Sequence, residues 1–121
     1  MSSSVLICDD SNLARKQVLR SLPEQWEVDV QLAKHGLEAL DVLRSSAIEV
    51  MFLDLTMPEL DGVGVLEAIK EEAISVKVFV ISADIQPEMQ NKVLELGAQA
   101  FLRKPINSET LVSTLQEHGI M

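Results

Sequence analysis

Short apolar runs alternate five times with apolar residues at helical spacing along the chain. Val5-Leu6-Ile7-Cys8 is short, rich in β-branched residues and ended by Asp9-Asp10, which predicts a buried strand. Ser11 then suits an N-cap, with Ala14, Val18 and Leu22 on one helical face. Residues Trp26 to Val30 alternate like a strand with one wetter face. Gly36 opens a second helix, with Leu37, Leu40 and Leu43 on one side. Val50-Met51-Phe52-Leu53 is again continuous and apolar, and Asp54 ends it. Pro58 and Asp61-Gly62 mark a loop, followed by a helical stripe of Val65, Leu66, Ile69 and Ala73. Val78 to Ile81 form the fourth strand, ended by Ser82. Pro87 fits the first turn of a helix carrying Met89, Val93 and Leu96, which Gly97 stops. Ala100-Phe101-Leu102 makes the fifth strand, with Lys104-Pro105 beyond it. The last helix starts near Asn107–Ser108 and carries Leu111, Val112 and Leu115.

A strand–helix alternation with short connections predicts an α/β fold whose parallel sheet is covered on both faces. Right-handed crossovers leave a doubly wound five-stranded sheet, (βα)5, as the best fit. Its 121 residues suffice for one domain, residues 1–121, and exclude an eight-unit barrel.

Composition narrows the function. The formal charge is -9 and aromatics are 3%, which disfavours both duplex binding and base stacking, so no direct nucleic-acid partner is expected. Cys8 is the single cysteine and cannot form an internal disulfide. No apolar run approaches about 18 residues and no signal-type segment is present, so the expectation is a cytoplasmic protein without a membrane anchor. One stretch runs against the acidic balance. Residues 11–22 hold Arg15, Lys16 and Arg20 and no acid, +3 there against -12 elsewhere. Either it is a solvated helix face or it is a docking surface for an acidic partner.

In a parallel doubly wound sheet, ligands bind beyond the carboxyl ends of the strands. Those ends carry Asp9 and Asp10, Asp54, Ser82 and Lys104. Crowded carboxylates repel, and relief comes from a proton or a cation. Hard oxygen donors beside water and phosphate suit Mg2+, for which Mn2+ can substitute. A lysine and a hydroxyl nearby can bind phosphoryl oxygens, and a carboxylate can itself be the nucleophile. Chemistry and spacing thus lead to metal-assisted phosphoryl transfer onto an aspartate.

The ordered set of Asp9-Asp10, Asp54 in Leu53-Asp54-Leu55-Thr56-Met57-Pro58, Asp61-Gly62, Ser82-Ala83 and Lys104-Pro105 resembles the receiver domain of two-component response regulators over essentially the whole chain. The resemblance implies a flavodoxin-like strand order, 2-1-3-4-5. It implies Asp54 as the phosphoacceptor, Asp10 and Asp54 as direct Mg2+ ligands, Asp9 acting through water, and the backbone carbonyl of Thr56 as a further ligand. Ser82, Ala83 and Lys104 would bind the phosphoryl group. Ser82 and Phe101 would form the switch, and the Lys104–Pro105 peptide would be cis. A histidine kinase or phosphotransfer domain would be the donor, docking on Arg15, Lys16 and Arg20. The fourth helix, fifth strand and fifth helix would control an output protein or a fused C-terminal effector. The chain would then be either a stand-alone receiver or the first domain of something longer. It would assist its own phosphoryl transfer and hydrolysis without being an enzyme.

Plainer roles stand beside these. Asp9-Asp10 could cap the first helix, Asp54 could be a turn residue, and Ser82 an ordinary loop serine. Lys104 could be merely solvated, and Phe101 could be core alone. Cys8 reads as a small buried hydrophobe, His35 and His118 as surface residues, and Trp26 as a cover for the sheet edge. A phosphatase passing through an aspartyl phosphate would usually carry a second Asp two positions after the nucleophile, where this chain has Thr56. A flavin carrier would need hydroxyls or glycines after the first strand, where Asp9-Asp10 would repel phosphate. Relatives that bind the flagellar motor commonly have two lysines at the positions of Gln86 and Pro87. Winged-helix regulators usually have Asp where Ala100 stands and arginines in the last helix, which has none here.

Overall fold

A computed structural model of the chain describes residues 3–57, 60–83 and 86–120. Pro58, expected in a loop, lies outside them. The elements run β1 (Ser3–Cys8), α1 (Asn12–Ser21), β2 (Val28–Ala33), α2 (Gly36–Ser45), β3 (Val50–Leu53), α3 (Gly62–Glu71), β4 (Lys77–Ser82), α4 (Pro87–Glu95), β5 (Ala100–Arg103) and α5 (Ser108–Glu117). All neighbouring strands pair in parallel, in the order β2-β1-β3-β4-β5.

Alternate residues of each strand enter two separate cores, as the period of two demands. Leu6, Cys8, Met51, Leu53, Val78 and Val80 pack beneath α2, α3 and α4. Val5, Ile7, Val50, Phe52, Phe79 and Ile81 pack beneath α1 and α5. The central strands are therefore apolar on both faces, whereas edge strand β2 exposes Asp29 and Gln31. Each helix but α4 starts on a side-chain cap: Ser11 accepts from the Ala14 amide, His35 from Glu38, Asp61 from Gly64 and Asn107 from Thr110. Pro87 at the start of α4 needs no partner for its missing N–H.

Several local expectations change. Strand β2 begins at Val28 and reaches Ala33, because pairing with β1 runs from Ser3↔Val28 to Cys8↔Ala33. Trp26 precedes it in a turn closed by its amide on the Pro23 carbonyl, and its ring packs on the α1/α5-side core. Leu37 is 49% exposed, since α2 turns Ala39, Leu40 and Leu43 into the core and Leu37 lies off that face. Ala73 is outside α3, at φ 52°, where the chain reverses after the Glu72 cap. The histidines are not plain surface groups. His35 caps α2, and His118 is half-buried with its ring edge-on to Phe79.

Candidate functional site: an acidic pocket at the strand ends

Strands β1 and β3 lie side by side at the centre of the sheet and end together, their last residues Cys8 and Leu53 being paired. The next residue in each chain is thereby delivered to one rim. The Asp54 amide donates to the Cys8 carbonyl at 2.9 Å, and the Asp9 amide to the Ala33 carbonyl at 3.1 Å. Asp9 and Asp54 are only 3% and 5% exposed, while Asp10 faces solvent. Each of the three brings a carboxylate oxygen within 4.8 Å of the others.

Lys104 enters from the end of β5, anchored by its amide on the Ser82 carbonyl at 3.0 Å. Its ammonium lies 2.8 Å from Asp9 Oδ2 and 3.1 Å from Asp54 Oδ1. The following peptide, Lys104–Pro105, is cis. Asp9 is held further by the Ser11 amide, which donates to its Oδ1 at 2.9 Å. Ser82 is buried at the end of β4, Ala83 beside it is exposed, and Phe101 of β5 is half-buried against the α2/α3/α4-side core. Thr56 is exposed on the loop between Asp54 and α3.

Burial pushes the Asp54 carboxyl above its ordinary range, and the charge of Asp9 pushes it the same way. Lys104 pulls it down without cancelling the rise. For Lys104 burial disfavours the charge, but the hydrogen bond to Asp9 and the charge of Asp54 outweigh it, so its pKa is raised. Cys8 sits beneath the pocket with its thiol pushed up to about 12, by burial first and then by Asp9 and Asp54. It behaves as the small buried hydrophobe its position suggested, in contact with Met57 Sδ at 3.4 Å.

The family model of the response regulator receiver domain matches residues 5–116. The chain belongs to this family. Receivers are the phosphorylation-dependent signalling domains of two-component systems, and this receiver has relatives with different outputs. It is 43% identical over 105 residues to a protein-glutamate methylesterase/protein-glutamine glutaminase of Myxococcus xanthus, covering 84% of this chain and 30% of that one. It is 31% identical over 116 residues to the response regulator MprA of Mycobacterium bovis, covering 96% of this chain and 50% of that one. The chain thus spans half or less of these curated relatives. Among solved structures, the receiver domain of NarL from Mycobacterium tuberculosis superposes with a TM-score of 0.87 at 30% identity, covering 97% and 95% of the two chains. Chemotaxis regulator CheY4 of Vibrio cholerae gives 0.85 at 28% identity, covering 97% and 98%. Among the described residues, no helix is long and apolar enough to cross a membrane.

The docking expectation needs one correction. Lys16 and Arg20 are exposed on α1, but Arg15 is 8% exposed and points into the fold. Its Nη1 donates to the Asp9 carbonyl at 2.6 Å and its Nη2 to Asn12 Oδ1 at 3.2 Å. A buried guanidinium already bonded to the pocket backbone is not a steering charge. The signal was in the spacing, since Arg15 stands three and seven positions before Val18 and Leu22, on the helix face turned to the sheet.

Proposed function

We propose that this receiver accepts a phosphoryl group on Asp54 from a phosphohistidine of a histidine kinase or phosphotransfer domain. What carries the reading is the placement of Asp54. It is buried at the end of β3, beside two further carboxylates and 3.1 Å from the Lys104 ammonium. A carboxylate with a raised pKa is the more basic nucleophile, and Lys104 keeps it oriented. In the transfer a carboxylate oxygen of Asp54 bonds to phosphorus as the phosphorus–nitrogen bond to the donor histidine breaks, and that nitrogen leaves with the electron pair. Lys104, the Ser82 hydroxyl and the Ala83 amide would receive the phosphoryl oxygens.

The three carboxylates fit a divalent cation. They are hard oxygen donors close enough to share one ion, and the exposed Asp10 and Thr56 leave the site open to water. Asp10, Asp54 and the Thr56 carbonyl would hold Mg2+ directly, with Asp9 acting through water. When bound, Mg2+ supplies positive charge against the phosphoryl oxygens, and Mn2+ can replace it. Lys16 and Arg20 remain exposed for an acidic kinase or phosphotransfer surface. Ser82 and Phe101 would pass the change to the surface of α4, β5 and α5, which meets an output protein or a fused effector. Such a phosphorelay would operate in the cytoplasm.

The test is labelling by acetyl phosphate, read by intact mass. With Mg2+ the parent should gain one phosphoryl group, and Asp54→Asn none, because an amide is a poor nucleophile. Full labelling of the variant would overturn the assignment.

A further inference from the structure

We infer that Arg15 is a positioning residue of the acidic pocket, locking the peptide between Asp9 and Asp10 so that the Asp10 carboxylate faces its partners. The inference rests on the cation-site reading above. Arg15 is the fourth residue of α1, near the end where the helix dipole disfavours a cation, and it is buried beside the acidic pocket. Burying a charge there is costly unless strong partners receive it. The partners are two oxygens, the Asp9 carbonyl at 2.6 Å and Asn12 Oδ1 at 3.2 Å. A planar guanidinium spans both, which a single ammonium does not.

The Asp9 carbonyl belongs to the same peptide plane as the Asp10 amide. Asp9 itself is held on every side: its amide by Ala33, its two carboxylate oxygens by Ser11 and Lys104, its carbonyl by Arg15. Asp10 is exposed, yet its carboxylate comes within 4.8 Å of two buried ones. The backbone on its N-terminal side therefore sets where it points, and Arg15 grips that backbone. Lost supports of this kind typically weaken metal binding about 10–100-fold.

The experiment compares parent, Arg15→Met, Arg15→Lys and Asp10→Ala in three measurements: Mg2+ titration by calorimetry, Mg2+ dependence of acetyl phosphate labelling, and amide NMR in EDTA. Arg15→Met should raise the Mg2+ Kd and the half-saturating Mg2+ about tenfold. The labelling rate at saturating Mg2+ should stay near the parent's, a split that general loosening of the fold would not produce. The amides of Asp10 and Ser11 should shift even without metal. Arg15→Lys keeps the charge but not the fork, and should also bind Mg2+ more weakly than the parent. It decides the matter should Arg15→Met not fold. Parent-like Mg2+ affinity in a folded Arg15 variant would overturn the role of Arg15, provided that Asp10→Ala loses binding. If Asp10→Ala and the parent bind Mg2+ alike, the cation site itself falls, and this inference with it.

Discussion

Lys104 grips Asp9 as closely as it grips Asp54, with its ammonium 2.8 Å from the first carboxylate and 3.1 Å from the second. One cation from the end of β5 thus neutralises part of a charge cluster assembled from β1 and β3. The pairing joins residues 95 positions apart in sequence. It is also what makes a pocket with three carboxylates tolerable in the metal-free protein, since like charges this close disfavour one another's ionisation.

Removing that ammonium should therefore destabilise the metal-free protein. Lys104→Met leaves Asp9 and Asp54 buried without their counter-charge, a change worth on the order of 3 kcal/mol. Urea unfolding at neutral pH in EDTA measures it, and added Mg2+ should restore part of the loss by mass action. A loss that Mg2+ does not touch would separate the lysine from the proposed cation site.

The raised pKa of Asp54 gives a signed pH dependence. Its folded value lies above its unfolded one, so protonation favours the native state. That contribution is fully present below the unfolded value, about 3.9, and disappears as pH rises through the higher folded value. Asp54→Asn, which cannot ionise, should melt above the parent at neutral pH in EDTA, and the gap should narrow as pH falls toward 4. Parallel melting curves for the two proteins across that range would contradict the burial argument.

Gly62 protects the same residue from below. A Cβ there would lie 2.4 Å from the Asp54 carbonyl oxygen and 2.8 Å from the Leu55 Cα, and backbone atoms cannot swing aside. Gly62→Ala should cost about 1–3 kcal/mol through overpacking. It should also slow acetyl phosphate labelling, because the segment that must move carries Asp54. Parent-like stability by urea titration would show that the loop absorbs the methyl group.

The proposed switch role of Ser82 and Phe101 can be tested without a kinase. Ser82 is buried at the end of β4 and pairs with Arg103, and Phe101 is half-buried on that adjacent strand, two residues before Arg103 and opposite Val80. Full burial of an apolar side chain contributes on the order of 1–3 kcal/mol, similar to typical coupling energies between sites. Ser82→Ala should still accept phosphate on Asp54 yet lose the response around α4 and Phe101. Amide NMR with beryllofluoride reads this directly, and equal shifts over residues 86–103 in both proteins would break the link.

The sequence by itself determined the five strand–helix units, because continuous apolar runs and helical stripes are local patterns that burial on two faces enforces. It also marked Asp9, Asp10, Asp54, Ser82 and Lys104, since polar residues directly after apolar strands stand out against the core. Local pattern was weakest at edges and ends. The start of β2 depended on register with β1, and the exposure of Leu37 on which side of α2 met the sheet. Which carboxylate Lys104 would hold was beyond reach, because the contact depends on strand order rather than on spacing. Arg15 shows the limit most clearly. Read as charge in a basic stretch it belonged on the surface; its spacing with Val18 and Leu22 hinted at the inner face, but only the packing of α1 against the sheet decided that its partner is the Asp9 carbonyl.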